Sequence, residues 1–147
     1  MRSYDVTVFD GPLALNERPT PQPTGEEVLV KITAAGVCHS DIHICEGFYD
    51  LGSGKKLNMG ERGVKLPLTM GHEIAGEIVS GGPDAGPVKA GEKVVVFPWI
   101  GCGKCAVCAR GDENLCLQSR FLGIFRGGGY ATHVLVPHKR YCLPIGD

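Results

Sequence analysis

The sequence has no excess of charge of either sign and no long apolar run. Its 15 lysines and arginines are balanced by 16 aspartates and glutamates, for a formal net charge of -1, and the basic residues are scattered along the chain. Proteins that bind nucleic acid usually carry a basic face, and a membrane-spanning helix needs about 20 consecutive apolar residues. We therefore expect a protein that binds neither nucleic acid nor membranes.

Long uninterrupted helical stretches are also lacking. The chain carries 22 glycines and 10 prolines in 147 residues, and such frequent breaks favour short strands and turns. Alternating apolar residues predict strands at positions 4–9, 27–37, 74–80, 92–98, 130–137 and 140–144. A short helix is expected at 38–46, a connecting segment at the proline-rich 12–25, and a long loop at 47–67. The pattern predicts a mostly β domain in the form of an irregular barrel.

Four of the seven cysteines lie close together in one segment. Cys102, Cys105, Cys108 and Cys116 have the spacing C-x2-C-x2-C-x7-C, which brings four thiolates within reach of one ion in a closed, structural zinc site. Two disulfides are the alternative, but an odd cysteine count and no secretory signal favour the cytoplasm, where disulfides are rare. The spacing predicts a zinc-binding lobe at about 98–120 and does not indicate catalysis.

A second group of ligand-type residues is spread over two segments. Cys38 and His72 each lie at an end of a predicted strand, and a catalytic zinc needs about three protein ligands and one open position. Ser40 is placed to take an alcohol proton, His43 to carry it to solvent, and Asp41 to hold the second ring nitrogen of His72. Single cysteines and histidines are more often ordinary core or surface residues, so spacing alone leaves both interpretations open.

Five segments resemble, in the same order, motifs of the zinc-dependent medium-chain alcohol dehydrogenases. Residues 36–43 (GVCHSDIH) and 71–79 (GHEIAGEIV) precede the four-cysteine segment, and residues 91–94 (GEKV) and 128–131 (GGYA) add to the match. The resemblance extends over nearly the whole chain. It implies that residues 1–147 form the family's catalytic domain, a GroES-like, partly open irregular β-barrel with short helices and an inserted zinc-binding lobe.

The resemblance also implies a role for individual residues. Cys38 and His72 match catalytic zinc ligands and Glu73 a carboxylate near that metal, while Ser40 and His43 match the proton relay. Asp41 matches the carboxylate that orients the zinc-ligating histidine, and His39 matches a contact of the cofactor pyrophosphate. Trp99 matches an aromatic residue of the substrate pocket. The structural zinc ligands are matched by Cys102, Cys105, Cys108 and Cys116. The reaction implied is the oxidation of a small alcohol to an aldehyde or ketone with NAD or NADP.

The sequence departs from the family pattern at its C-terminal end. No G-x-G-x-x-G follows a predicted strand, and the family's third catalytic zinc ligand is a cysteine beyond position 147. We therefore expect no nucleotide-binding Rossmann domain in this chain, an incomplete catalytic zinc site, an inactive isolated chain, and homo-oligomers formed through exposed apolar surface.

Two other functions are open at this point. One is a non-catalytic, zinc-stabilised GroES-like module that acts by association. The other is a redox-active thiol protein based on the pair Cys105 and Cys108. Both would function without Cys38 or His43.

Overall fold

The computed structural model describes residues 1–146, which are built mainly from short strands with two short α-helices. The strands are β1 (Arg2–Val6), β2 (Leu13–Glu17), β3 (Val28–Gly36), β4 (Phe48–Asp50), β5 (Lys56–Asn58), β6 (Leu68–Thr69), β7 (Glu73–Gly81), β8 (Lys93–Val96), β9 (His133–Val136) and β10 (Cys142–Pro144). The helices are α1 (His39–Glu46) and α2 (Ala106–Ala109). None of the helices described is long and apolar enough to cross a membrane.

The largest sheet has five strands in the order β10-β8-β7-β3-β9, and each neighbouring pair is antiparallel. Successive side chains of a strand point to opposite faces of the sheet. Val28 and Val30 of β3 and Val94 and Val96 of β8 therefore share the inner face, where they are at most 1% exposed. Each such side chain contributes about 1.5–3 kcal/mol by leaving water. The register of β3 on β7 pairs Gly36 with Glu73, which brings the end of β3 next to the start of β7.

A second sheet, in the order β2-β1-β6, is held by a buried carboxylate. Asp5 of β1 is 2% exposed and accepts hydrogen bonds from Thr69 Oγ1 at 2.6 Å, Asn16 Nδ2 at 2.8 Å and Arg18 at 3.3 Å. Burial acts to raise the pKa of Asp5, but these donors outweigh it and the pKa is lowered. One carboxylate thus links all three strands in its ionised form.

The sheets stay separate within residues 1–146, so the barrel is open, as the sequence predicted. A second apolar core lies beside the first, under α1 and the β4-β5 hairpin, and contains Val6, Ile44, Met59 and Leu68. Helix α1 follows β3 directly and packs Ile44 into this core. This places the first turn of α1 beside the start of β7.

Several details of the secondary-structure prediction were wrong. The first strand spans Arg2–Val6 rather than 4–9. Positions 12–25 contain strand β2, because the prolines flank the segment LALNE rather than interrupt it. The predicted loop at 47–67 contains the β4-β5 hairpin, whose turn uses positive φ at Gly52 and Gly54. The predicted strand at 140–144 begins only at Cys142, because Lys139–Tyr141 form a 3-10 turn.

Candidate functional site

The four cysteines of the predicted lobe converge on one point. Their Sγ atoms lie within 4.8 Å of one another, with individual separations of 3.9 Å (Cys102 to Cys108), 3.5 Å (Cys105 to Cys108) and 3.8 Å (Cys105 to Cys116). A tetrahedron with zinc–sulfur bonds of about 2.3 Å has sulfur–sulfur edges of about 3.8 Å, whereas a disulfide needs about 2.05 Å. The four thiols therefore fit a zinc ion and do not fit two disulfides.

The pKa values of these thiols differ, because backbone amides and burial act on them in opposite directions. The amide of Lys104 donates to Cys102 and lowers its pKa to about 6, whereas burial raises the pKa of Cys108 to about 11. Because a metal binds thiolates, zinc uptake by this cluster should release protons. Arg110, two positions after Cys108, pairs with Asp112 at 3.3 Å.

A buried glutamate that the sequence analysis missed fastens this lobe to the barrel. Glu113 is 8% exposed and accepts hydrogen bonds from the amide of Gly101 at 3.0 Å and from the hydroxyl of Tyr141, and it pairs with Arg140 at 2.8 Å. Burial acts to raise the pKa of Glu113, but these three donors lower it below its ordinary 4.5. The sequence signal was an acidic pair, Asp112 and Glu113, between two ligand cysteines.

We predict that Glu113→Gln lowers the free energy of unfolding by about 2 kcal/mol, because a charged hydrogen-bond acceptor is lost from a buried site. Since the pKa of Glu113 is lowered on folding, its contribution is complete above pH 4.5 and disappears as the pH falls through its folded value. Urea denaturation at pH 7 and pH 3 measures both effects. The exposed Glu61→Gln serves as the control, and an equal deficit for Glu113→Gln at both pH values would contradict the assignment.

The second predicted group also comes together. One ligand atom each of Cys38, His72 and Glu73 lies within 4.8 Å of the others, although positions 38 and 72 are far apart in the sequence. Cys38 caps the N-terminus of α1, and the other two residues lie where the chain enters β7. A thiol, an imidazole and a carboxylate are a donor set that zinc accepts, and three protein ligands leave a position open.

Asp41 is the buried centre of this group. Its Oδ2 accepts hydrogen bonds from the Cys38 amide at 3.0 Å and from the Tyr130 hydroxyl at 2.9 Å, and its Oδ1 accepts one from the Gly71 amide at 3.3 Å. Oδ1 is also 3.3 Å from Nδ1 of His72, although the two groups are not aligned for a hydrogen bond and that nitrogen has no partner among the described residues. A buried imidazole nitrogen that faces a carboxylate is typical of a histidine whose other nitrogen binds metal.

Two glycines make this close approach sterically feasible. Gly71 has a φ of +90°, and a Cβ at this position would lie 2.7 Å from the ring of Tyr130. A Cβ at Gly36, the strand partner of Glu73, would collide with the Glu73 carboxylate. Larger residues at either position would displace a side chain of the site.

Of the remaining predicted residues of α1, Ser40 lies beside the thiol of Cys38 and the two histidines lie beside each other. Ser40 Oγ is 3.0 Å from Cys38 Sγ. His43 is partly exposed, with its Nδ1 3.4 Å from Glu46 and its ring 4.5 Å from that of the exposed His39. The hydroxyl of Tyr49, which the sequence analysis did not single out, donates to the Ser40 carbonyl at 3.4 Å.

Two cavities meet at this group. Ser40, His72 and Trp99 line both of them. One cavity, about 610 Å³ in volume, also contains Cys38 and Glu73, and the other, about 320 Å³, extends away from them under the β4-β5 hairpin. The group is therefore open to two cavities, so two bound molecules can meet there.

The family model described as "Alcohol dehydrogenase GroES-like domain" matches residues 24–147. The chain is 45% identical over 145 residues to the NAD-dependent alcohol dehydrogenase of Sulfurisphaera tokodaii, which covers 99% of this chain and 41% of the relative. The chain thus spans about two fifths of the length of that relative.

Solved structures agree with this match. The D-arabinose dehydrogenase from Sulfolobus solfataricus has a TM-score of 0.80 at 31% identity and covers 99% of this chain and 40% of its own. A cobalt- and zinc-bound thermostable alcohol dehydrogenase from Pyrobaculum aerophilum has a TM-score of 0.80 at 29% identity. The match covers 100% of this chain and 42% of the Pyrobaculum chain.

Proposed function

This chain belongs to the family of alcohol dehydrogenase GroES-like domains, and from that premise we propose that it holds the metal and the alcohol in a zinc-dependent alcohol dehydrogenase. The observation that carries the proposal is the pair of metal-type clusters of different kinds. Four thiols close around one point, as in a structural zinc site, whereas Cys38, His72 and Glu73 leave a position open, as in a catalytic one.

Zinc, when bound by Cys38 and His72, supplies a Lewis acid that lowers the pKa of an alcohol. Ser40, beside the Cys38 thiol, takes the hydroxyl proton, and the partly exposed His43 passes it to solvent. Asp41 holds the N-terminus of α1 through the hydrogen bond that it accepts from the Cys38 amide, and its Oδ1 faces Nδ1 of His72 at 3.3 Å, where it orients the ring. Glu73, on the exposed side, is the carboxylate that approaches the metal.

NAD or NADP would supply the hydride acceptor for the alcohol, and the cavity lined by Cys38 and Glu73 would receive its nicotinamide. His39 is exposed at the start of α1, a position from which an imidazole can contact the cofactor pyrophosphate. We assign the rest of the cofactor site to protein beyond the two fifths of the relative's length that this chain matches.

The proposal is tested by Ser40→Ala in a protein that joins this sequence to a nicotinamide-binding domain. We expect kcat for alcohol oxidation to fall about 100- to 10,000-fold, since proton removal loses its acceptor, while zinc content stays unchanged. Ser80→Ala, at the far end of β7, is the control. A Ser40→Ala protein with full activity at every pH would rule out the proposed proton path.

A second function is favoured by one observation. Tyr4, Leu15 and Val37 are 52%, 54% and 75% exposed and line one groove beside Tyr130. Such apolar surface is typical of an interface, so a non-catalytic module, or the homo-oligomer that we expected, would bury it. This function would survive Ser40→Ala and be lost when Leu15 is replaced by aspartate, as measured by sedimentation velocity.

A further inference from the structure

The smaller of the two cavities has walls that differ in character from its inner end. Ser40 and His72 form the end that belongs to the proposed chemical site. The walls are mostly aliphatic and aromatic, with Ile44 and Met59 at most 3% exposed and Leu57 partly buried beside them. A molecule whose oxygen lies at His72 therefore has its carbon skeleton against these apolar walls.

Aromatic rings continue this wall outward from the chemical site. The His72 ring is 6.0 Å from Trp99, Trp99 meets Phe121 edge to face at 4.9 Å and 88°, and Phe121 is 6.3 Å from Phe125. Aromatic pairs at these distances and angles attract each other, which favours a fixed orientation of each ring. The cavity is thus a slot with a preformed aromatic side.

The polar groups of the slot are engaged elsewhere or face solvent. The Tyr49 hydroxyl donates to the Ser40 carbonyl, and Asp50 accepts from the Gly52 amide at 2.8 Å. Asp50 and Arg62 are both exposed, which places them toward the mouth. The further hydroxyls of a sugar or polyol would lose their water and gain few partners along the walls.

The size of the slot suits a ring. Its volume is about 320 Å³, within the range of small-molecule pockets, and an apolar cavity of about 150 Å³ already accepts benzene. A ring that carries a carbinol group fits with its oxygen at the Ser40 and His72 end.

From this slot we infer that the substrates are bulky apolar alcohols and their aldehydes or ketones, with an aromatic or branched carbon skeleton, rather than sugars or polyols. The inference rests on the proposed function only for the assignment of the oxygen to His72. It separates this chain from the D-arabinose dehydrogenase that shares its fold.

Trp99 is the single tryptophan of the chain and lines both cavities, so its fluorescence reports on ligands in the slot and in the cavity beside it. Benzyl alcohol and cyclohexylmethanol should change the emission in a saturable way, and sorbitol and D-arabinose should not. Within a series of straight-chain primary alcohols, affinity should rise about fourfold per added methylene. Equal or tighter binding of sorbitol, or no saturable response to either ring compound, would overturn the inference.

Matched substitutions locate the binding. Leu57→Asn places an amide in the slot and should weaken the binding of benzyl alcohol about tenfold. Leu143→Asn, at an exposed position of β10 outside the slot, should leave that binding unchanged. Phe125→Leu keeps an apolar side chain but removes an aromatic ring from the slot, and it should weaken the binding of benzyl alcohol several-fold. It serves as a second variant if Leu57→Asn does not fold. This binding is measured without a cofactor, so it is independent of catalysis. If the chain bound benzyl alcohol normally but the protein joined to a nicotinamide-binding domain never oxidised it, the proposed function would be refuted while the inferred ligand preference of the slot would stand.

Discussion

Cys105→Ser is expected to remove one tightly bound zinc per chain and to lower the melting temperature by about 10 °C. The Cys105 sulfur lies 3.5 Å and 3.8 Å from two other thiols of its cluster, so serine leaves three ligands where four are needed. Zinc at about 1,000 times its dissociation constant stabilises a folded protein by about 4 kcal/mol, and each kcal/mol is about 2–4 °C for a chain of this size.

Cys45→Ser is the matched control. Cys45 is a partly buried free thiol outside both clusters, with its sulfur 3.8 Å from the Gly11 carbonyl. We expect its zinc content and melting temperature to stay near those of the parent chain, and a strong chelator to bring the parent down to the Cys105→Ser value. If chelation leaves the melting temperature unchanged, the lobe folds without metal and the structural role is refuted.

Asp41→Asn should weaken metal binding at Cys38 and His72 by about 10- to 100-fold while the four-thiol site keeps its zinc. The amide has nearly the same shape as the carboxylate, but it carries no charge and has one acceptor oxygen where Asp41 uses two. Cobalt titration followed by visible absorption separates the two sites, because thiolate-rich and mixed ligand sets absorb differently. In the joined protein, activity should fall in parallel.

Two comparisons make this result specific. Asp84→Asn, on an exposed turn, should bind cobalt as the parent does. Tyr130→Phe removes one of the donors to Asp41 and should shift affinity in the same direction by a smaller factor. An Asp41→Asn chain whose two sites both bind normally would show that the carboxylate does not position the histidine.

The two metal-type clusters were predictable to different degrees, for a physical reason. Cys102 to Cys116 are neighbours in sequence, so their spacing alone limits the geometry. Cys38 and His72 come together only because β3 pairs with β7 in a register that sets Gly36 against Glu73. Spacing cannot show such a register, and the family resemblance supplied that pair instead.

Two of the contacts that sequence reasoning missed join distant segments. Tyr130 reaches Asp41 across 89 positions, and Tyr141 reaches Glu113 across 28. The apolar slot was missed for the same reason, because Leu57 lies in a hairpin that was expected to be a loop. Among the apolar residues that line the slot, Trp99 alone was named in advance, and that came from the resemblance.

The central claim is that one cluster folds a lobe and the other performs chemistry, and a zinc titration of the chain against a chelating dye tests it most directly. We predict two classes of zinc: a tight one lost in Cys105→Ser, and a weaker one lost in Cys38→Ser with no change in melting temperature. A single class, or a weaker class that persists without the Cys38 thiol, would contradict the assignment of the open site to Cys38 and His72.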